Sequence, residues 1–163
     1  MSVAFTREED LEATAADLPD RPVSPHPNWV TAEGLEAIEA ALAEARAAYS
    51  AAQAQGSEVG GSISADRTAM ARATRDLRYW SARRASAQRV ETEADGRVRF
   101  GGSVTLERAD GRTQTWRIVG EDEADPRAGT VSHVSPLARA LIGKRVGDEA
   151  VVAGQAVEIT AVD

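Results

Sequence analysis

The sequence predicts an α+β protein: an N-terminal antiparallel helical hairpin, followed by a small antiparallel β domain with one short helix. Three observations carry this. Leu35, Ile38, Leu42, Ala45 and Tyr49 alternate spacings of three and four, and Met70, Ala73, Leu77 and Trp80 repeat the pattern. That is the a/d seam of packed helices. Gly56, Gly60 and Gly61 fall between the two runs and break the periodicity. From Val98 the texture changes to short β-prone runs separated by turn residues. The chain is divided accordingly into an acidic, Pro-rich extension (1–28), a helical hairpin or coiled coil (29–90) and a β domain (91–163).

Taken in order, Thr6-Arg7-Glu8-Glu9 reads as a capping box, with Leu11 and Leu18 able to share one side of a short helix. Pro19, Pro22, Pro25 and Pro27 then forbid helix and favour an extended arm. That arm is read either as a partly ordered linker or as a segment that folds back on the protein or touches a partner. Helix is expected from Thr31 to Gln55 and again from about Ala65. Two such runs around a glycine-rich loop favour a hairpin over one bent helix or two helices packed separately on the β domain.

In the β domain, Val98-Arg99-Phe100 and Ser103–Leu106 flank Gly101-Gly102, and Ala109-Asp110-Gly111 signals a hairpin. Thr113–Val119 alternates, Glu121–Gly129 reads as a solvated acidic turn, and Val157, Ile159 and Ala161 are assigned to one face of the last strand. Between them, Ser135 is a good N-cap, Pro136 suits the first helical position, and Leu137, Leu141 and Ile142 form an apolar face. Gly143 is placed to stop the helix in a left-handed conformation, next to Lys144 and Arg145.

Composition sets limits on function. Of 163 residues 42% are hydrophobic but only 4% aromatic, so Ala-rich helices with a small β core are expected. The absence of Cys excludes a disulfide framework and thiolate metal sites. No leader and no apolar run long enough for a membrane is evident, so a cytoplasmic protein without a membrane partner is expected. The net charge of −7 argues against tight sequence-independent DNA binding by the whole chain. The imbalance is local: residues 1–28 hold six acids and two bases, whereas 29–90 hold seven acids and eight bases. Within the second helical run, Arg72, Arg75 and Arg78 form a candidate basic stripe, to be weighed against plain interhelical and solvated ion pairing.

Enzyme chemistry finds little support. His26 and His133 do not form a pair with metal spacing, and Ser135 is better explained as a cap than as a nucleophile. Gly56–Gly61 lacks the Gly-Lys-Ser/Thr ending of a phosphate loop. Glu121, Asp122, Glu123 and Asp125 do not have EF-hand spacing. No cofactor, no resident metal and no independent catalytic residue are expected.

Ser135–Lys144 followed by Val146-Gly147-Asp148 resembles the C-terminal domain of the Gre transcript-cleavage factors of bacterial RNA polymerase. Arg117–Asp125 and Val98–Val104 resemble two further motifs of that domain. The resemblance is strong from about residue 95, weak over 30–90, and absent from 1–28. It implies an FKBP-like C-terminal fold that docks at the rim of the polymerase secondary channel, with Ser135, Pro136, Leu137 and Arg139 at or near the docking surface. It also implies a coiled coil that enters the channel with a basic face (Arg72, Arg75, Arg78) and contacts RNA or DNA inside the complex. In the family, an Asp-x-x-Glu pair followed by Asn at the coil tip helps hold a Mg²⁺ in the polymerase active centre.

Here the corresponding stretch, Gly56–Asp66, has no such pattern; Glu58 and Asp66 are its only acids. Asp66 is equally explained as an N-cap or first-turn acid of the second helix. The first arm also reads as one or two turns shorter than the family's. A loss of seven residues would shorten its reach by roughly 10 Å. The expectation is a Gre-like factor that binds polymerase and modulates elongation with weak or no cleavage stimulation. The alternatives are a stand-alone interaction regulator with a non-polymerase partner, and a true cleavage factor that uses Glu58 and Asp66.

Overall fold

A computed structural model describes residues 18–56 and 63–163. The capping box, Glu58, Gly60 and Gly61 lie outside the described residues. The chain divides into two compact units: residues 18–25, 38–56 and 63–86 in one, residues 26–37 and 87–163 in the other.

The first unit is the helical hairpin. Helix α1 spans Ala32–Gln55 and α2 spans Ile63–Ser86. On α1 the seam is buried at Ile38, Leu42, Ala45 and Ala52, so it runs one step beyond Tyr49. On α2, Ala73 is buried while Met70, Leu77 and Trp80 are half-buried. Helix α2 begins at Ile63, two residues before the expected start. The helices run antiparallel: Arg84 Nε near the end of α2 meets Glu39 Oε1 near the start of α1 at 2.8 Å. Ala52 and Gln53 share one hollow with Asp66, Arg67 and Met70 at the opposite end.

The second unit is built on a five-stranded sheet. Its strands are β3 (Ser103–Arg108), β4 (Thr113–Val119), β5 (Thr130–Ser132), β6 (Glu149–Val152) and β7 (Gln155–Val162), in the order β5-β4-β3-β7-β6. All pairs are antiparallel except β4–β5, which is parallel. A separate two-residue parallel pair joins β1 (Trp29–Val30) to β2 (Gln88–Arg89). The short helix α3 (Pro136–Leu141) packs Ala138 and Leu141 into the core with Val98, Phe100, Val104, Leu106, Ile118, Val131, Val157 and Ile159.

Three local expectations change. Val98 and Phe100 are core residues but not in a strand. The Val98 N–H donates to Lys144 O, and its carbonyl accepts from Gly143 N, so this segment is stitched to the helix stop instead of the sheet. In β7 a register shift opposite Thr105/Leu106 pairs Leu106 with Ile159 but Thr105 with Ala161. A bulge adds one residue and flips the faces, so Ala161 is exposed and Val162 packs against the core in its place. The acidic turn is not merely solvated either. It contains a 3₁₀ turn (Pro126–Ala128) capped by Asp125, and Glu123 accepts both hydrogen-bond contacts of the Thr31 hydroxyl, at 2.7 and 2.9 Å.

Residues 26–37 are woven into this second unit. Gly120 sits against the Trp29 backbone, and a Cβ there would strike the Trp29 carbonyl oxygen. Gly120→Ala should therefore destabilise the protein by about 2 kcal/mol through overpacking, read as a lower midpoint in urea. An unchanged midpoint would show that the contact gives way freely.

Candidate functional site

The four residues expected near a docking surface, Ser135, Pro136, Leu137 and Arg139, lie in and beside α3. Ser135 is the N-cap, its Oγ accepting the Ala138 N–H at 3.1 Å, and Pro136 fills the first helical position. Leu137 is half-buried and packs against the core. Pro136 and Arg139 face solvent. Ser135 and Leu137 thus build the helix, while Pro136 and Arg139 are the members free to meet another molecule. The helix stops as the sequence predicts: Gly143 has φ +88°, and Arg97 Nη1 donates to its carbonyl at 3.0 Å.

Behind the helix lies a cluster that sequence reading missed. His133 stacks on Trp29 with ring centroids 4.9 Å apart and meets Phe100 edge-on at 5.5 Å. Its Nε2 is buried without a hydrogen-bond partner. Burial depresses the His133 pKa below its ordinary 6.5, opposed by the nearby Glu121 charge and a hydrogen bond to the Pro27 carbonyl. The only sequence signals were a histidine after a β-prone run and a distant tryptophan.

In the hairpin unit the three arginines of the basic stripe separate. Arg75 and Arg78 line one groove together with Arg67, Met70, Ala71 and Thr74; Arg72 is exposed outside it. The same groove is lined by Leu18 and Asp20 of the N-terminal arm. Arg78 Nη1 donates to Asp20 Oδ1 at 3.2 Å, and Arg21 Nη1 donates to Asp76 Oδ1 at 3.3 Å. The Arg21 guanidinium also lies over the Tyr79 ring, 3.8 Å from its centre, with Trp80 at 5.3 Å. Residues 18–21 therefore lie back along α2; the rest of the arm's reading, over residues 1–17, falls outside the described residues. The signal was present as complementary order: Asp20-Arg21 against Asp76 and Arg78.

Asp66 is in the first turn of α2, half-buried beside Arg67. No second carboxylate joins it among the described residues of that hollow. Among the described residues no group of three or more His, Asp or Glu could hold a metal ion. The described residues do not fit a Mg²⁺ site, and no step is derived through one. No described helix is long and apolar enough to cross a membrane.

The family described as "Transcription elongation factor, GreA/GreB, C-term" matches residues 93–163. Residues 93–163 are thus similar to the C-terminal domain of the GreA/GreB factors. Transcription elongation factor GreA of Hyphomonas neptunium is 57% identical over 61 residues, which is 37% of this chain and 39% of that protein. Transcription elongation factor GreB of Neisseria meningitidis is 53% identical over 60 residues, 37% of each. The chain thus spans well under half the length of these relatives. A crystal structure of GreA factor homolog 1 (Gfh1) of Thermus thermophilus aligns over 85% of this chain and 99% of that one. At 22% identity and a TM-score of 0.38, that likeness carries no argument about function.

The motifs of the Gre domain have physical readings here. In Arg117–Asp125, Ile118 and Val119 are core residues, and Gly120 makes room for the Trp29 carbonyl. Glu123 holds Thr31, whose hydroxyl in turn accepts the Gly34 N–H at 3.0 Å and caps α1. Arg117 reaches Gly101 O with Nε and Glu33 with Nη2, at 3.0 and 3.4 Å.

The buried histidine sets a pH dependence. Its pKa is lower folded than unfolded, so the unfolded chain takes up the proton first and stability falls as pH drops below about 6.5. Glu33 and Asp95 are held below their ordinary values, Glu33 first by its backbone N–H and then by Arg117, Asp95 first by Arg99. Their contribution is lost only at lower pH, as it falls through those depressed values. His133→Phe, which keeps the stacking, should flatten the difference in melting temperature between about pH 7.5 and 5.5. An identical slope in the variant would sink this assignment.

Proposed function

We propose that the protein is a Gre-type transcription factor that binds the core RNA polymerase of bacteria at the rim of the secondary channel. There it modulates elongation, with weak or no stimulation of transcript cleavage. The observation that carries this reading is the family match over 93–163, supported by 57% identity across 61 residues to a protein named as an elongation factor.

In this reading the chain works as three parts: the 1–28 extension, the 29–90 hairpin and the 91–163 domain. Pro136 and Arg139, exposed on α3 and set by Ser135 and Leu137, contribute to docking. The hairpin enters the channel, and Arg72, Arg75 and Arg78 of α2 face RNA or DNA there. The factor itself is not an enzyme; any bond breaking belongs to the polymerase.

Two features support low cleavage activity. The Gly56–Asp66 stretch lacks the paired tip acids of cleavage factors. Each hairpin helix has 24 residues, about 36 Å at the α-helical rise, and the first arm reads as shorter than the family's.

The test has two arms. Tagged protein should recover core polymerase subunits from a bacterial extract, and Arg139→Glu should weaken recovery at least about fivefold, as a reversed charge at a docking surface does. A stalled, backtracked polymerase should show little RNA shortening when the protein is added. Recovery of another protein without polymerase would favour a stand-alone regulator. Vigorous shortening abolished by Glu58→Ala or Asp66→Ala would make the protein a true cleavage factor.

A further inference from the structure

Leu18 and Asp20 of the arm wall one side of the basic groove of α2, and this has a functional consequence. We propose that the Leu18–Arg21 segment is a built-in competitor for polyanions: it walls the Arg75/Arg78 groove, its Asp20 holds Arg78, and it must move aside before single-stranded nucleic acid can bind there. This rests on the reading of Arg75 and Arg78 as a nucleic-acid face.

Four observations in the hairpin unit point the same way. First, Asp20 puts a carboxylate on Arg78, the type of partner a phosphate oxygen would be. Second, the groove that Leu18 and Asp20 line includes Arg75, whose Nε is buried without a partner. That N–H is a donor in want of an acceptor, which an anion reaching it would supply. Third, the Arg21 guanidinium lies over the Tyr79 ring, with Trp80 beside it. An arginine plane on an aromatic face occupies the position in which a nucleic-acid base stacks. Acid and flat cation together thus stand in for phosphate and base. Fourth, Pro19, Pro22 and Pro25 recur every third residue. That is the period of an extended left-handed polyproline helix, which carries little entropy to lose on docking.

The strength suits a releasable cover. The two ion pairs are half-exposed to exposed, so solvent screening keeps each of them weak. The guanidinium over the ring adds a contact of similarly modest strength at such a site. The arm is therefore held against thermal motion but yields to a polyanion presented at high local concentration, as inside a complex.

The test uses the full chain and a fluorescein-labelled single-stranded RNA of about 12 nucleotides, with binding read by fluorescence anisotropy at low salt. Arg21→Ala removes a positive charge, so general electrostatics predicts weaker RNA binding. Loss of the cover predicts roughly tenfold tighter binding instead. Arg21→Lys, which keeps the charge but not the flat stacking, should fall between wild type and Arg21→Ala. Asp20→Asn should also tighten binding, whereas Glu149→Gln, which adds the same charge in the β domain, should not. Adding Arg75→Ala and Arg78→Ala to the Arg21→Ala chain should abolish the gain.

Equal affinity of wild type and Arg21→Ala, with binding still lost on Arg75→Ala/Arg78→Ala, would overturn the cover and leave the basic face standing. No binding by any variant whose helical circular dichroism matches wild type would overturn both.

Discussion

The second unit depends on the seating of Trp29 and Thr31. Trp29 stacks on His133 and meets Phe100 edge-on at 5.9 Å, contacts worth about 0.5–1.5 kcal/mol each beyond area burial. Its carbonyl rests on Gly120, and two residues later Thr31 gives its hydroxyl to Glu123 while capping α1. The N–H of Gln88 donates to Asn28 O, and that of Val90 to Val30 O. A segment that precedes a helical hairpin in sequence therefore belongs to the C-terminal fold. The imidazole carries the cost: a ring nitrogen sealed from water without a partner, offset by the stacked Trp29 and the edge-on Phe100.

The hairpin is stabilised differently. Its seam carries Ala45, Ala52 and Ala73 among its buried members, so apolar burial per residue is small. One polar side chain, Arg83, is buried and engaged in the interior instead, and at the surface Arg84 reaches Glu39 across the pair. The low aromatic content of the chain follows from this division. Aromatics sit at Trp29, Phe100 and Trp116 in one unit and at Tyr49, Tyr79 and Trp80 in the other, and Tyr79 and Trp80 serve the N-terminal arm as a platform.

Much of this was readable beforehand. Both helices, the hairpin turn at Ala109–Gly111 and the Ser135 cap occur where spacing and residue type put them, because each depends on neighbours within a turn or two. The misreadings share one cause. Val98–Phe100 has strand composition, but its backbone partners are Lys144 and Gly143, more than forty residues away. Ala161 fits the alternation of its strand until a bulge shifts the phase. Glu123 looks like one acid among several, and only the arrival of Thr31 singles it out. For the candidate sites, the local geometry of Ser135–Arg139 was legible. The split of the arginine stripe was not, since it reflects which helix face the arm covers.

The sequence by itself determined the α+β class, the two periodic helices, the capped short helix and the motifs that identify the Gre domain. Those properties reside in spacing, capping and turn chemistry, which act over a few residues. Tertiary structure alone decided that residues 26–37 join the C-terminal unit, that His133 is buried, that Glu123 holds the capping Thr31, and that Asp20 and Arg21 lie along α2. Each of these is a contact between residues far apart in the chain, and its energy exists only once the backbone has brought the two ends together.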